Sequence, residues 1–339
     1  MLGIAHCGVL RAVDELGIKV DSVCGTSAGS LVGCLFCANF TGDEIQDIVT
    51  SQRLDKLLLD ARFFLGIGSL RLLMPAVWSK RAKVITLLIV GLALLTALLL
   101  TKLLAKDVMT NAVSNILFVC LWAERLFLTL WGFILVTMFV WRPALLRGRK
   151  MDKWVNKTVR TRLRLKRDPI CGDLAVPFRA VATDLRTGEV KYLDSSFDNS
   201  MTVGQMVRAS AAIPFVFSPV TVGKLLLADG GITQNIPISA AVEHATGLDN
   251  VFIVAHFEPE SIKPRRTDWF YHLLWALIEA ARSVQITDVP RPHSQVKIAL
   301  TVNLDPFDFA ASPDRKTAAI NKAYEDSKAI LQANIAVLR

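Results

Sequence analysis

Two rhythms of apolar residues run along the chain, and one long stretch has no rhythm at all. Residues 9–16, 30–38, 237–245, 271–284 and 317–338 carry small or apolar side chains at helical spacing, which predicts helices. Short apolar runs at residues 20–24, 178–182, 225–228, 251–255 and 297–302 read as buried strands. Strands alternating with helices predict an α/β domain of three layers, with a largely parallel sheet covered on both faces.

The stretch without rhythm begins at residue 84. Residues 84–101 are uncharged and dominated by Leu, Ile, Val and Ala, long enough for a membrane helix, which needs about 18 to 20 apolar residues. A buried core helix would normally keep a polar face, and this segment has none. Residues 112–141 are apolar except for Glu124 and Arg125, and Trp122, Trp131 and Trp141 suit a lipid-facing or interfacial position. We read this segment as a second span. The predicted organisation is a discontinuous α/β domain of residues 1–62 and 155–339, interrupted by a helical membrane hairpin within residues 63–154.

Charge sharpens that picture. The 339 residues are 52% apolar with net charge +9. Lys80, Arg81 and Lys83 precede the apolar stretch and Arg142, Arg147, Arg149, Lys150 and Lys153 follow it, whereas the intervening loop carries Lys102, Lys106 and Asp107. By the positive-inside rule both flanks face the cytoplasm, which predicts a multi-pass protein of the cytoplasmic membrane. The run at residues 147–167, with Lys157, Arg160, Arg162, Arg164 and Lys166, fits a collar on anionic head groups worth about 1 kcal/mol per basic residue. No aromatic interleaving accompanies it, so nucleic acid is not an expected partner. Nothing in the sequence sets the oligomeric state.

The candidate chemistry lies at two places in the α/β portion. Gly25-Thr26-Ser27-Ala28-Gly29 follows an apolar run and opens a small-residue helix, the context of a nucleophile elbow. A one-residue turn from strand to helix strains the backbone, so small flanking residues are required and the Ser27 hydroxyl is left exposed. Far downstream, the run 225–228 is followed by Asp229-Gly230-Gly231 and then Asn235-Ile236-Pro237. A carboxylate within reach of a serine hydroxyl can take its proton directly once desolvation raises its pKa toward neutrality. Blander readings exist: Ser27 as a helix N-cap, and Asp229-Gly230 as an ordinary turn. Among the other groups, His256 ranks below Asp229 as a base, Asp184 reads as a structural turn residue, and Ser210 reads as a packed small residue. Cys34 and Cys37 form a C-x-x-C pair without a second pair, so no metal and no cofactor is expected.

Here the chain resembles the patatin-like phospholipases. The resemblance rests on Ala5-His6-Cys7-Gly8-Val9-Leu10, the Ser27 elbow, Val181-Ala182-Thr183-Asp184-Leu185 with Thr187-Gly188-Glu189, Arg208-Ala209-Ser210-Ala211-Ala212-Ile213-Pro214, and the Asp229 turn. It covers both ends of the chain and skips the middle. It implies a Ser27–Asp229 dyad acting on membrane lipid esters, phospholipid or lysophospholipid. It also implies a glycine-rich oxyanion loop, G-G-G-x-[RK]-G, of which this sequence matches only the last glycine, Gly3. Losing oxyanion donors costs about 100-fold or more each. The match resumes at Gly3 without erosion, which favours a start upstream of Met1 over decay of the site. The alternative function is a membrane-anchored pseudoenzyme or scaffold; a soluble-substrate esterase is disfavoured by the apolar insert.

Overall fold

The computed structural model describes residues 2–51, 146–198, 200–214, 216–245, 249–260, 288–304 and 311–338. The chain divides into two compact units, and the described residues belong to the one comprising residues 1–61, 144–264 and 270–339. Both apolar stretches of the expected hairpin, and the helix expected at 271–284, lie outside the described residues. Among the described residues, no helix is long and apolar enough to cross a membrane.

In chain order the helices are α1 (His6–Glu15), α2 (Ala28–Cys37), α3 (Gly42–Ser51), α4 (Arg149–Leu163), α5 (Val203–Ser210), α6 (Ile238–His244), α7 (Pro313–Ala333) and α8 (Ile335–Leu338). The strands are β1 (Val23–Thr26), β2 (Phe178–Asp184), β3 (Val190–Leu193), β4 (Val220–Val222), β5 (Leu225–Asp229), β6 (Val251–Pro259) and β7 (Ser294–Val302). Each described helix and strand expected from the apolar rhythm has a counterpart, although β1 starts only at Val23 and runs on to Thr26, and the helix expected over 317–338 is broken at Asn334 into α7 and α8. Local signals set several ends: Ser312 caps α7 through the Arg315 amide with Pro313 at the first position, and Thr202 and Gln205 form a capping box at α5.

The sheet corrects the expectation of a largely parallel arrangement. β1 runs parallel to β2 and β6 to β7, but β2–β3, β2–β5 and β4–β5 are antiparallel. For β2–β3 and β4–β5 the cause is connection length. β4 and β5 are joined by Gly223-Lys224 alone, with Gly223 at φ 54°, and a two-residue link permits only a hairpin. β2 turns back into β3 through residues 185–189, where the Asp184 carboxylate accepts from the Arg186 amide and the Thr187 hydroxyl. Asp184 is thus a turn residue, as its sequence setting suggested, and it also ties the turn to β5 by accepting from the Leu226 amide.

β2 is the organising strand, and the register along it positions the candidate site. Ala180 to Thr183 pair with β3, while Phe178 to Val181 pair with β1 and Ala182 to Asp184 with β5. Because β3 overlaps both partners, it must occupy one edge of β2 while β1 and β5 follow each other along the opposite edge. The last rung of β1 is Thr26 on Val181, and the last rung of β5 is Asp229 on Ala182. Two strands approaching head to head therefore end on adjacent rungs, bringing Ser27 and Asp229 together across 202 residues of sequence.

Helices cover this sheet. α2 and α5 pack on each other and on β2, and α6 packs on β1 and β2. The core joins Leu35, Phe178, Leu193, Met206 and Leu227, all essentially inaccessible. The basic helix α4 lies on α5, where the buried Asn156 side chain accepts from the Gly204 amide and donates to Thr202. Part of its charge is used within the chain: Arg162 pairs with Glu44 and stacks on Phe40, and Arg160 pairs with Asp168. Lys153, Lys157, Arg164 and Lys166 are exposed.

Candidate active site

The elbow has the strain its sequence predicted. Ser27 sits at φ 55° and ψ −124°, a conformation that costs a residue with a side chain about 1–3 kcal/mol and persists only when its surroundings hold it. The steric requirement is at Gly25, where a Cβ would lie 2.7 Å from the Gly29 oxygen and from the Ser30 backbone. Gly29 itself has room, since a Cβ there would meet only the His6 ring at 3.8 Å. Only one of the two flanking glycines is therefore enforced by close approach.

Hydrogen bonds hold the strained turn on every side. The Ser27 amide donates to the Ser210 Oγ at 3.0 Å, and the Ser27 carbonyl accepts from the Ser30 Oγ at 2.6 Å and the Ser30 amide at 3.0 Å. The Thr26 hydroxyl donates to the Gln234 carbonyl at 2.9 Å. The Ser27 side chain does not cap α2. Its Oγ instead donates to Asp229 Oδ2 at 2.7 Å, which removes the N-cap reading.

Asp229 is 5% exposed. Its other oxygen, Oδ1, accepts from the Gly231 amide at 2.7 Å, its own amide donates to the Ala212 carbonyl at 2.9 Å, and its carbonyl accepts from the buried Thr183 hydroxyl at 3.0 Å. Burial away from water pushes its pKa up to about 6, against the opposing pull of the Ser27 and Gly231 hydrogen bonds. A carboxylate with that pKa is ionised at neutral pH and basic enough to share a hydroxyl proton. Gly230 opens the short 3-10 turn that aims the Gly231 amide back at the carboxylate.

Gly3 lies in the 3-10 turn Leu2–Ala5, so close to the residue after Ser27 that a Cβ on it would fall 2.2 Å from the Ala28 Cβ. Its carbonyl bonds to His6 Nδ1 at 3.0 Å, and the His6 ring meets Phe257 edge-on at 4.9 Å. Burial holds His6 below the ordinary histidine pKa, keeping it neutral. His256 has Glu258 4.0 Å from its Nδ1, while the Ser27 hydroxyl bonds to Asp229. A cavity of about 860 Å³ reaches Ser27 and is lined by apolar side chains that include Leu31, Ile213, Phe217, Ile236 and Phe257. The thiols of Cys7, Cys24, Cys34, Cys37 and Cys171 form no disulfide, and burial raises their pKa values. Among the described residues no cluster of metal-ligating side chains occurs.

Sequence reasoning missed Ser210. It reads locally as a small packed residue, and it is fully buried, yet its hydroxyl holds the backbone of Ser27. The available signal is a hydroxyl set among the alanines Ala209, Ala211 and Ala212, a setting in which a buried polar group must find a partner.

The patatin-like phospholipase family model matches residues 1–242. The uncharacterized protein YqhO of Bacillus subtilis is 22% identical over 247 residues, covering 70% of this chain and 62% of that protein. Lysophospholipase NTE1 of Pyricularia oryzae is 56% identical over 34 residues, 10% of this chain and 2% of that protein. The chain thus spans less than two thirds of the length of these relatives. Among solved structures, VipD from Legionella pneumophila aligns with a TM-score of 0.46 at 16% identity, covering 98% of this chain and 65% of that one. The type III effector ExoU aligns at 0.42 and 13% identity, covering 98% and 51%.

Proposed function

The chain belongs to the patatin-like phospholipase family, and from that premise we propose that it is a serine lipid acyl hydrolase working through Ser27 and Asp229. The observation that carries this reading is the 2.7 Å hydrogen bond from the Ser27 hydroxyl to a buried carboxylate. Asp229 takes the Ser27 proton as Oγ attacks the ester carbonyl, giving a tetrahedral oxyanion. Collapse expels the alcohol, which receives that proton from Asp229 and leaves an acyl-serine. Water then attacks with Asp229 again as base, releasing the fatty acid and restoring the Ser27 hydroxyl. The first amides of α2, at Ala28 and Gly29, have no intrahelical acceptor and are aligned with the helix dipole, so they suit a developing oxyanion. The mainly apolar lining of the cavity suits an acyl chain.

Phosphatidyl and lysophosphatidyl esters in vesicles test the reading through fatty-acid release against pH. Because the base must be ionised, turnover is expected to rise with pH through about 6 and level off above it. A folded chain without release at any pH supports the scaffold reading instead.

The site of action we propose is the cytoplasmic face of the membrane, with the apolar segments 84–101 and 112–141 forming a two-span hairpin. Since Ser27 precedes these segments and Asp229 follows them, one shared site requires an even number of spans. Single cysteines near Lys106 and near Lys150, in a background without native cysteines, are expected to differ: only the former should react with an impermeant thiol reagent on intact cells. Reaction at both, or release of the protein by alkaline carbonate, would contradict the hairpin.

A further inference from the structure

We propose that the stretch Ser210-Ala211-Ala212 is a positioning element that ties the backbone of Ser27 to that of Asp229 and so sets the separation of hydroxyl and carboxylate. One end accepts from the Ser27 amide through the Ser210 Oγ at 3.0 Å; the other accepts from the Asp229 amide through the Ala212 carbonyl at 2.9 Å. This inference rests on Ser27 and Asp229 being the reacting pair.

The need for such an element follows from how the two residues meet. Register along β2 places Thr26 and Asp229 on neighbouring rungs, but the chain leaves the sheet at Ser27. The Ser27 amide, released from the ladder and oriented by a strained backbone, requires an acceptor from elsewhere. Ser210 supplies it from the last residue of α5 and is inaccessible to solvent, as Ala212 nearly is. The stretch is itself held: the Ala211 amide bonds to the Val207 carbonyl at 3.0 Å and the Ala212 amide to the Ala209 carbonyl at 3.3 Å. α5 is fixed in turn by its capping box and by Asn156. One rigid helix end thus grips both halves of the dyad by their main chains. A displacement of about 1 Å at a reacting group can cost on the order of 100-fold in rate.

Ser210→Ala in the full chain removes one grip while leaving every group of the dyad present. The expected result is a roughly 10- to 100-fold slower reaction of Ser27 with a fluorophosphonate and a matching fall in kcat, with little change in KM. The acidic limb of the pH profile should also move upward, because a displaced Ser27 no longer holds the Asp229 pKa down. Ser210→Cys, similar in size but a weak acceptor, should fall between the two and serves equally if the alanine variant folds poorly. A folded Ser210→Ala chain with the wild-type labelling rate and the wild-type limb overturns this inference alone. A wild-type chain that carries no adduct on Ser27 overturns the assignment of the nucleophile as well.

Discussion

A Ser27→Ala chain is expected to lose ester hydrolysis by about 10⁴-fold or more, the scale of removing a covalent nucleophile, while keeping its fold. Alanine inherits the backbone at φ 55° and gains nothing from the exchange. Ser27→Gly separates chemistry from strain. It should be equally inactive yet more stable than the alanine variant by about 1 kcal/mol, since glycine adopts positive φ without the side-chain penalty. Activity assays with thermal unfolding of the two variants check both parts. A Ser27→Ala chain that still turns over, or a glycine variant less stable than the alanine one, would count against a strained nucleophile.

The second large effect is at Asp229. Asn keeps the size of the side chain and can still accept from the Gly231 amide, but it cannot hold a proton taken from Ser27. Hydrolysis should fall by about 10³-fold or more. Stability should move the other way at neutral pH. The folded-state pKa of about 6 stands above the ordinary value of 3.8, so the native chain binds its proton more tightly than the unfolded chain. Asp229 therefore costs nothing at pH 3 and costs progressively more as pH rises through 4 to 6. By linkage the cost reaches at most about 3 kcal/mol above that window. Asp229→Asn should accordingly unfold at the same or a higher temperature than wild type at pH 8, with the difference fading below pH 4. Loss of activity accompanied by a large loss of stability at pH 8 would mean that the carboxylate is structural. His256→Gln should change turnover little; a collapse there would point to a histidine base.

Much of this site was legible in the sequence because its signals are local. Ser27 and Asp229 each follow a short apolar run and each sit among glycines, so the strand ends and the turns that expose them are written within about ten residues. What was not legible depends on residues distant in sequence. The mixed sheet is hidden in the sequence because β3 and β4 have only four and three residues, too few for alternation to mark them, although Gly223-Lys224 between Val222 and Leu225 is a hairpin signal. The adjacency of the two strand ends on one edge of β2 is a matter of register, which apolar runs do not specify. Ser210 acts on an amide 183 residues away, so nothing beside it in the chain announces its task. The sequence makes Gly29 and Gly25 look equally necessary, yet the first turn of α2 lies against Gly25 while a Cβ at Gly29 would meet only the His6 ring.

The dyad is tested most directly by the mass of the intact chain and of its peptides after reaction with a fluorophosphonate across a range of pH. One adduct, on Ser27, forming faster as pH rises through about 6, and slowed severely by Asp229→Asn, is the predicted result. An adduct on another residue while Ser27 stays unmodified, or a Ser27 adduct whose rate ignores Asp229, would contradict it.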